Sequence, residues 1–452
     1  MPRVQWLDGL KGLAALIVAM NHFFKGEMKA LERSYWDEPA SENRQILQLP
    51  FLCLLWSSLS MVPLFMVLSG YSLSLSLFRL RDSGRTLDFL HRVQTGLWRR
   101  PVRLVLPLAL VTALSQLVYF FNLYDDGWPL IPKGDLAGVK PWTDPLAHVS
   151  YALGYLADCM NIVSFQWRRG FNVQVWTIPL ELRGSYAVYL VVMGLAGWRK
   201  NVRVMVLTAM MAYLVWYAHW DIFAFVSGVY LAEWTDTAPD SSSSTQARPP
   251  SDADGKVRSW RTRITAPATI PALLCGIHLL CLDGQVHQRL PPEYALLAPF
   301  RTRHWTRYNP YIDVQYMWQS IGAFLTVCAI ANNPLLQRPF LSQPLQYLGQ
   351  RHFGIYLVHE LVFRMGTVSL RDVIWGAVAQ KELGSSYPGS EIARLQDPSA
   401  FWSTWIGAGI VLGLAVGVLA GVCQRVLAWW FGVVDGWDRG LRRREKRSGK
   451  GE

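Results

Sequence analysis

Residues 7–22 read Leu7-Asp8-Gly9-Leu10-Lys11-Gly12-Leu13-Ala14-Ala15-Leu16-Ile17-Val18-Ala19-Met20-Asn21-His22. The run approaches the length of a membrane-spanning helix, which needs about 20 mainly apolar residues to cross about 30 Å of hydrocarbon. It nevertheless carries three ionisable groups. Lys11 and His22 are eleven positions apart, about 1100° of helical rotation, which is within about 20° of whole turns. Asp8 lies three positions before Lys11, so all three share one stripe, and Lys11 and His22 are separated by about 16 Å along the axis. Ionisable groups inside a span are costly and face protein or a polar cavity, which makes each a functional candidate. The plainer reading has Asp8 and Lys11 anchoring the helix at the headgroups and His22 capping its far end. His22, the deepest, is read as functional. Asp8 and Lys11 also break the run as a signal peptide, and no small-residue cleavage site follows, so the segment is expected to be retained.

The rest of the chain has the same character. Of 452 residues, 51% are hydrophobic and 13% aromatic, 21 of them tryptophan, and only 17% are charged; soluble domains carry about 25% charge. The mean hydropathy is +0.16. This balance is not that of an ordinary cytosolic enzyme. The net charge of +12 does not point to nucleic acid, because the basic residues sit between apolar runs, at 79–103, 199–203, 248–263 and 439–450, and not among aromatics on a polar groove. The six cysteines are scattered without a C-x-x-C pair, which predicts packing residues and not zinc or redox work.

The pattern predicts an all-α integral membrane protein, a bundle of about ten transmembrane helices forming one domain over 1–452. The expected spans are 7–24, 51–78, 104–121, 176–197, 204–218, 221–234, 265–283, 314–332, 353–368 and 401–432. Basic residues are denser in the connections that share a side with both termini, so both termini are assigned to the cytosol. That leaves 122–175, rich in Pro, Trp and Asp, as a luminal or extracellular loop of cap or lid length. Residues 235–263, with Ser241 to Ser244 and three prolines, read as a flexible cytosolic linker, and 437–452 as a basic cytosolic tail. Gly409, Gly413, Gly417 and Gly421 repeat every four residues in the last span, which predicts close approach of a neighbouring helix. They are not a phosphate loop, since no strand precedes them.

Further ionisable residues fall inside the spans. Glu181 and Arg183 lie two apart, about 200° around the axis, so Glu181 shares a face with Ser185 while Arg183 points elsewhere, either to an interhelical ion pair or to catalysis. His352, Tyr356 and His359 follow i, i+4, i+7 spacing on one face. His359 is the deeper histidine, and it reads equally as an active-site residue or as a satisfied histidine of the bundle. His359-Glu360 lacks a second histidine at 363, which is Phe363, so the H-E-x-x-H zinc motif is unmet and no metal is predicted. Arg99, Arg100 and Arg103 stand at the cytosolic entry of the third span, where they either mark topology or clasp phosphates.

These segments together resemble the acyltransferase 3 family of multi-pass membrane acyltransferases, nearly end to end. The 7–15 stretch leading to His22 is similar to the family's opening signature, and Val62-Pro63-Leu64-Phe65-Met66-Val67-Leu68-Ser69-Gly70-Tyr71 to its second span. Residues 176–185, from Trp176 to Ser185, resemble its glutamate-containing motif, and Leu348-Gly349 through Tyr356-Leu357-Val358-His359 its closing histidine segment. The resemblance implies that Arg100 and Arg103 are the R-x-x-R pair that helps hold a cytosolic acyl donor. Where family members usually carry an arginine ahead of the histidine, this chain has Lys11, which keeps the charge but not the planar fork. The serine-rich linker lies outside the family pattern.

The resemblance implies an O-acyltransferase moving an acyl group from acyl-CoA, with acetyl-CoA among the donors, to a hydroxyl of a carbohydrate, lipid or secondary metabolite. No permanently bound cofactor is expected, and the partners are acyl-CoA, the acceptor and the lipid bilayer of an endomembrane or plasma membrane. Acyl transfer needs a base for the alcohol proton and positive charge near the carbonyl oxygen. His22 is assigned the first role, and Lys11 or a neighbouring polar group the second. Asp8, Glu181 and His359 complete the expected catalytic set, Arg100, Arg103 and Lys11 the donor site, with Tyr356, Trp176 and Ser185 in support. The rival from another class is a transporter or flippase of an amphipathic molecule, and a third reading is a scaffold using the long luminal loop.

Overall fold

A computed structural model describes residues 4–24, 33–40, 43–125, 139–163, 170, 172–235, 266–282, 290–306, 312–379 and 397–448. The described residues contain no strand. They form eleven α-helices of fifteen residues or more: α1 (Gln5–Phe24), α2 (Ser58–Asp82), α3 (Thr86–Phe120), α4 (Pro145–Cys159), α5 (Thr177–Gly194), α6 (Lys200–Trp216), α7 (Trp220–Thr235), α8 (Ala266–Leu280), α9 (Ile312–Asn332), α10 (Gln343–Ala379) and α11 (Pro398–Ser448). Each expected span overlaps one of them, although the first residues of 51–78 form turns and a 3₁₀ helix (Cys53–Trp56) ahead of α2. Five, within α1, α2, α3, α9 and α11, are long and apolar enough to cross a membrane, and Pro267–Leu280 is a shorter apolar helix. In lipid a helix satisfies its own backbone groups, which is why apolar runs of this length adopt no other form.

Two expectations change. Residues 122–175 are not merely a loop, because α4 lies within them: Asp144 caps its start by accepting from Leu146 N–H, and Pro145 occupies the first turn, where its missing N–H costs nothing. Its inner face buries His148, Tyr155 and Cys159, and burial pushes the Cys159 thiol up to about 12. All six cysteines are free. The four-residue glycine repeat of α11 is also not a close helix contact throughout, since a Cβ on Gly413 or Gly417 would meet nothing within 4 Å. The proposed 235–263 linker lies almost wholly outside the described residues, and the basic tail continues α11 as helix to Ser448.

The chain divides into two compact units. The first comprises Met1–Ile17, Ala30–Leu97 and Arg183–Gln346. There α2 packs on α7 and α9, and α8 on α9. Gly70 and Gly228 permit the α2–α7 approach: a Cβ on either would overlap the backbone of the other helix, at Phe225 and Val67 respectively. At one end of these helices the buried carboxylate of Glu233 accepts from Arg203 Nε at 2.9 Å and pairs with Arg81 Nη2 at 3.0 Å. Arg183 pairs with the buried Asp221 of α7, which realises the interhelical alternative for that residue. The second unit comprises Val18–Lys29, Trp98–Leu182 and Tyr347–Glu452. Its helices meet where Gly354 of α10 lies against Ala420 of α11 and Gly409 of α11 against Phe23 of α1.

Candidate active site

The end of α1 and the middle of α10 bring His22, His359 and Glu360 together inside the second unit. His359 and Glu360 are fully buried, both at 0% exposure, and the His22 side chain is 12% exposed. The two imidazole rings lie 5.0 Å apart, tilted by 52°. His359 is the middle of the array, with Phe363 beside it at 5.8 Å.

Proton positions follow from the partners. Nδ1 of His359 lies 3.0 Å from the Ile355 carbonyl, which only accepts, so this nitrogen carries the hydrogen and Nε2 of the neutral ring is an acceptor. Nδ1 of His22 is 3.0 Å from that Nε2 and 3.0 Å from Oε1 of Glu360. Facing two acceptors, it is the protonated nitrogen of His22, and Nε2 keeps the lone pair. The two contacts are not equivalent. The Nδ1 hydrogen reaches Nε2 of His359, while Oε1 of Glu360 stands at ion-pair distance from the same nitrogen. Its other oxygen accepts from Nε of Arg364 at 3.2 Å. Arg364 thereby pairs with this carboxylate inside the helix interface, four residues along the same helix.

The three donor atoms of His22, His359 and Glu360 lie within 4.8 Å of one another, a spacing that could hold a metal ion. A search for H-E-x-x-H on one helix cannot see this set, because one ligand comes from α1. The Nδ1 hydrogen of His22 and the Arg364 guanidinium both compete with a cation for that position.

A second group forms around the start of α5. Gln174 Nε2 donates to the Leu357 carbonyl at 3.0 Å, Tyr356 hydroxyl donates to the Gln174 carbonyl, and Thr177 Oγ1 is 2.7 Å from the same hydroxyl. The segment before α5 is thus stitched to α10 one turn ahead of His359. Trp176 is half-buried in that segment. Arg100 of α3 forms an ion pair with Glu181 of α5, the side chains 13% and 17% exposed. Arg103, one turn further along α3, is exposed.

Of the residues expected from the sequence, His22, His359, Tyr356, Trp176, Glu181, Arg100 and Arg103 all fall in the second unit, and Asp8, Lys11 and Ser185 in the first. Glu181 engages Arg100. His352 donates from Nδ1 to the Gly349 carbonyl at 2.7 Å, within its own helix. Glu360 and Arg364 were not among the expected residues. The signal was present, since a carboxylate and a guanidinium at i, i+4 inside a span carry the same cost as those that were singled out.

The family profile described as an acyltransferase domain matches residues 4–423, nearly the whole chain. The chain belongs to the acyltransferase 3 family. It is therefore an acyltransferase of a membrane family, and its apolar helices make it an integral membrane protein. Among curated proteins it is similar to O-acetyltransferase PaAT-1 of Phomopsis amygdali, 24% identical over 380 residues covering 78% of this chain and 71% of that protein. Acyltransferase clz18 of Cochliobolus lunatus is 24% identical over 423 residues, covering 85% of this chain and 88% of that protein. Acyltransferase R4 of a Phoma species is 24% identical over 428 residues, covering 86% and 88%. No solved structure matches this acyltransferase 3 chain.

Proposed function

We propose that this protein is an O-acyltransferase of about ten spans with both termini in the cytosol, transferring an acyl group from acyl-CoA to a hydroxyl of a carbohydrate, lipid or secondary-metabolite acceptor. The observation that carries the chemistry is the placement of His22, with its Nδ1 hydrogen held by His359 beside the Glu360 charge. That arrangement leaves Nε2 as a base. In the reaction Nε2 takes the acceptor's hydroxyl proton as the oxygen attacks the thioester carbonyl. The carbon–sulfur bond then breaks, and the proton passes to the leaving thiolate. While His22 is a cation, Glu360 stabilises it from 3.0 Å. An acyl-histidine formed on Nε2 and then discharged to the hydroxyl balances equally.

Lys11 is assigned the charge developing on the carbonyl oxygen, and Asp8 a supporting place on the same helix face, both from their spacing to His22. Arg100 and Arg103 are assigned the phosphates of the donor. Ion pairing with Glu181 orients Arg100, and exposure leaves Arg103 accessible to a phosphate. The Phomopsis relative, an O-acetyltransferase, favours acetyl-CoA among donors.

Membranes containing the protein, supplied with radiolabelled acetyl-CoA and extracts of candidate acceptors, test this reading. Covalent label in a hydroxyl-bearing product is expected. Movement of an unmodified amphipathic molecule across the membrane, without label transfer, would instead establish a transporter.

A further inference from the structure

The helix that carries His359 and Glu360 is gripped, one turn beyond them, by a residue that follows α3. α3 ends in a Schellman turn. Leu123 N–H donates to the Val118 carbonyl at 3.0 Å and Asn122 N–H to the Tyr119 carbonyl at 2.9 Å, with Asn122 at φ 54°, the left-handed region that asparagine tolerates best after glycine. The turn sends Tyr124 inward, where its hydroxyl donates to the Ser115 carbonyl at 3.2 Å and its ring clusters with Tyr119 and Leu361.

Asp125 comes next and lands on α10. Its N–H donates to the Arg364 carbonyl at 2.8 Å. Its Oδ2 accepts from Val368 N–H at 2.9 Å and Ser369 N–H at 3.2 Å, and its Oδ1 from the Ser369 hydroxyl. In a regular helix Val368 N–H would donate to the Arg364 carbonyl. Here Asp125 engages both partners of that bond, acting as an N-cap in the middle of a continuous helix. Insertion of a side chain into the ladder is one of the established ways a helix is redirected.

The two sides of this clamp hold different parts of the site. Ahead of it are His359, Glu360 and Arg364, whose own carbonyl Asp125 binds. Beyond it is Arg371, only 2% exposed. Arg371 Nη2 donates to the Phe23 carbonyl at 2.8 Å, and its guanidinium lies 4.6 Å over the Phe23 ring and 4.7 Å over Trp405. Phe23 is the residue after His22. One stretch of α10 therefore fixes the carboxylate, the other fixes the end of α1, and Asp125 sits at the junction.

We propose that Asp125 is a positioning residue for acyl transfer: by clamping α10 at 364–369 it holds Glu360 and His22 at contact distance. The proposal rests on the reading of His22 as the base. The test compares Asp125→Ala, Asp125→Asn, Ser369→Ala and His22→Ala in the full-length purified protein, with rates expressed per mole of folded protein. Asp125→Ala is expected to lower kcat about tenfold or more with KM for acetyl-CoA held within about twofold. Asp125→Asn, whose amide oxygen still accepts from Val368 and Ser369, is expected to recover most of the rate. If Asp125→Ala yields no folded protein, Ser369→Ala carries the test, with a fall in kcat of about two- to fivefold at unchanged KM expected. A kcat equal to wild type in Asp125→Ala, or in Ser369→Ala when it carries the test, with His22→Ala inactive, overturns the proposal. Transfer retained by His22→Ala would instead overturn the assignment of the base, so the two failures are distinct.

Discussion

Nδ1 of His22 stands 3.0 Å from Oε1 of Glu360, a carboxylate with no exposure that Arg364 holds from its other oxygen. A neutral imidazole gains little from such a neighbour beyond orientation. An imidazolium gains a great deal, because the pair is out of water and the negative charge is already in place. Glu360→Gln keeps the size of the side chain and removes the charge. Its kcat is expected to fall about tenfold or more while KM for acetyl-CoA stays within about twofold, and steady-state kinetics with the two substrates varied separately reads both. An unchanged kcat would remove Glu360 from the chemistry.

Arg103, proposed to contact the donor's phosphates, is exposed, whereas Arg100 is largely buried beside Glu181, which separates their expected phenotypes. Arg103→Ala should raise KM for acetyl-CoA about tenfold with little change in kcat, because a phosphate contact contributes to ground-state and transition-state binding alike. The same measurement in increasing salt should show a smaller dependence on ionic strength in the variant than in the parent protein. Equal KM values would return Arg103 to a purely topological role.

Glu233, at 2% exposure, is the buried carboxylate beside Arg81 at 8% and Arg203 at 10% in the first unit, and the half-exposed Asp82 shares Arg81 with it. Removing one member of a buried ionic group leaves uncompensated charge and costs about 3–5 kcal/mol. Glu233→Ala is therefore expected to lower the thermal unfolding midpoint in detergent by several degrees or more, measured by intrinsic tryptophan fluorescence. A midpoint equal to that of the parent would show that the network contributes no stability.

His22, His359 and Glu360 have the spacing of a metal site, but in the proposed chemistry a proton occupies the position between them. Dialysis against EDTA should leave transfer activity within about twofold of the untreated protein. A loss that zinc or another divalent ion restores would replace the proton with a metal.

Much of this was legible because lipid imposes a simple pattern. Each apolar run became a helix, and His22 stood out as an ionisable group in the first of them. His359 was found by its spacing to Tyr356, yet its role stayed open because its partner, His22, lies on another helix and sequence spacing says nothing about which faces meet. Glu360 and Arg364 were hidden behind the unmet zinc motif, although their four-residue separation within a span marked them. Helix α4 was obscured by the Pro, Trp and Asp around it, even though Asp144-Pro145 is a recognisable helix start. Asp125 carries no local signal, since its partners are on a helix late in the chain and its importance is created by the turn at Asn122.

The central claim is that His22 is the group that moves the proton or carries the acyl group. The most direct measurement is transfer of label from acetyl-CoA by purified His22→Ala, with a monodisperse elution profile and a parental unfolding midpoint as the control for folding. Label transfer is expected to fall to background while the control is unchanged. Transfer at the parental rate by the folded variant would contradict the claim.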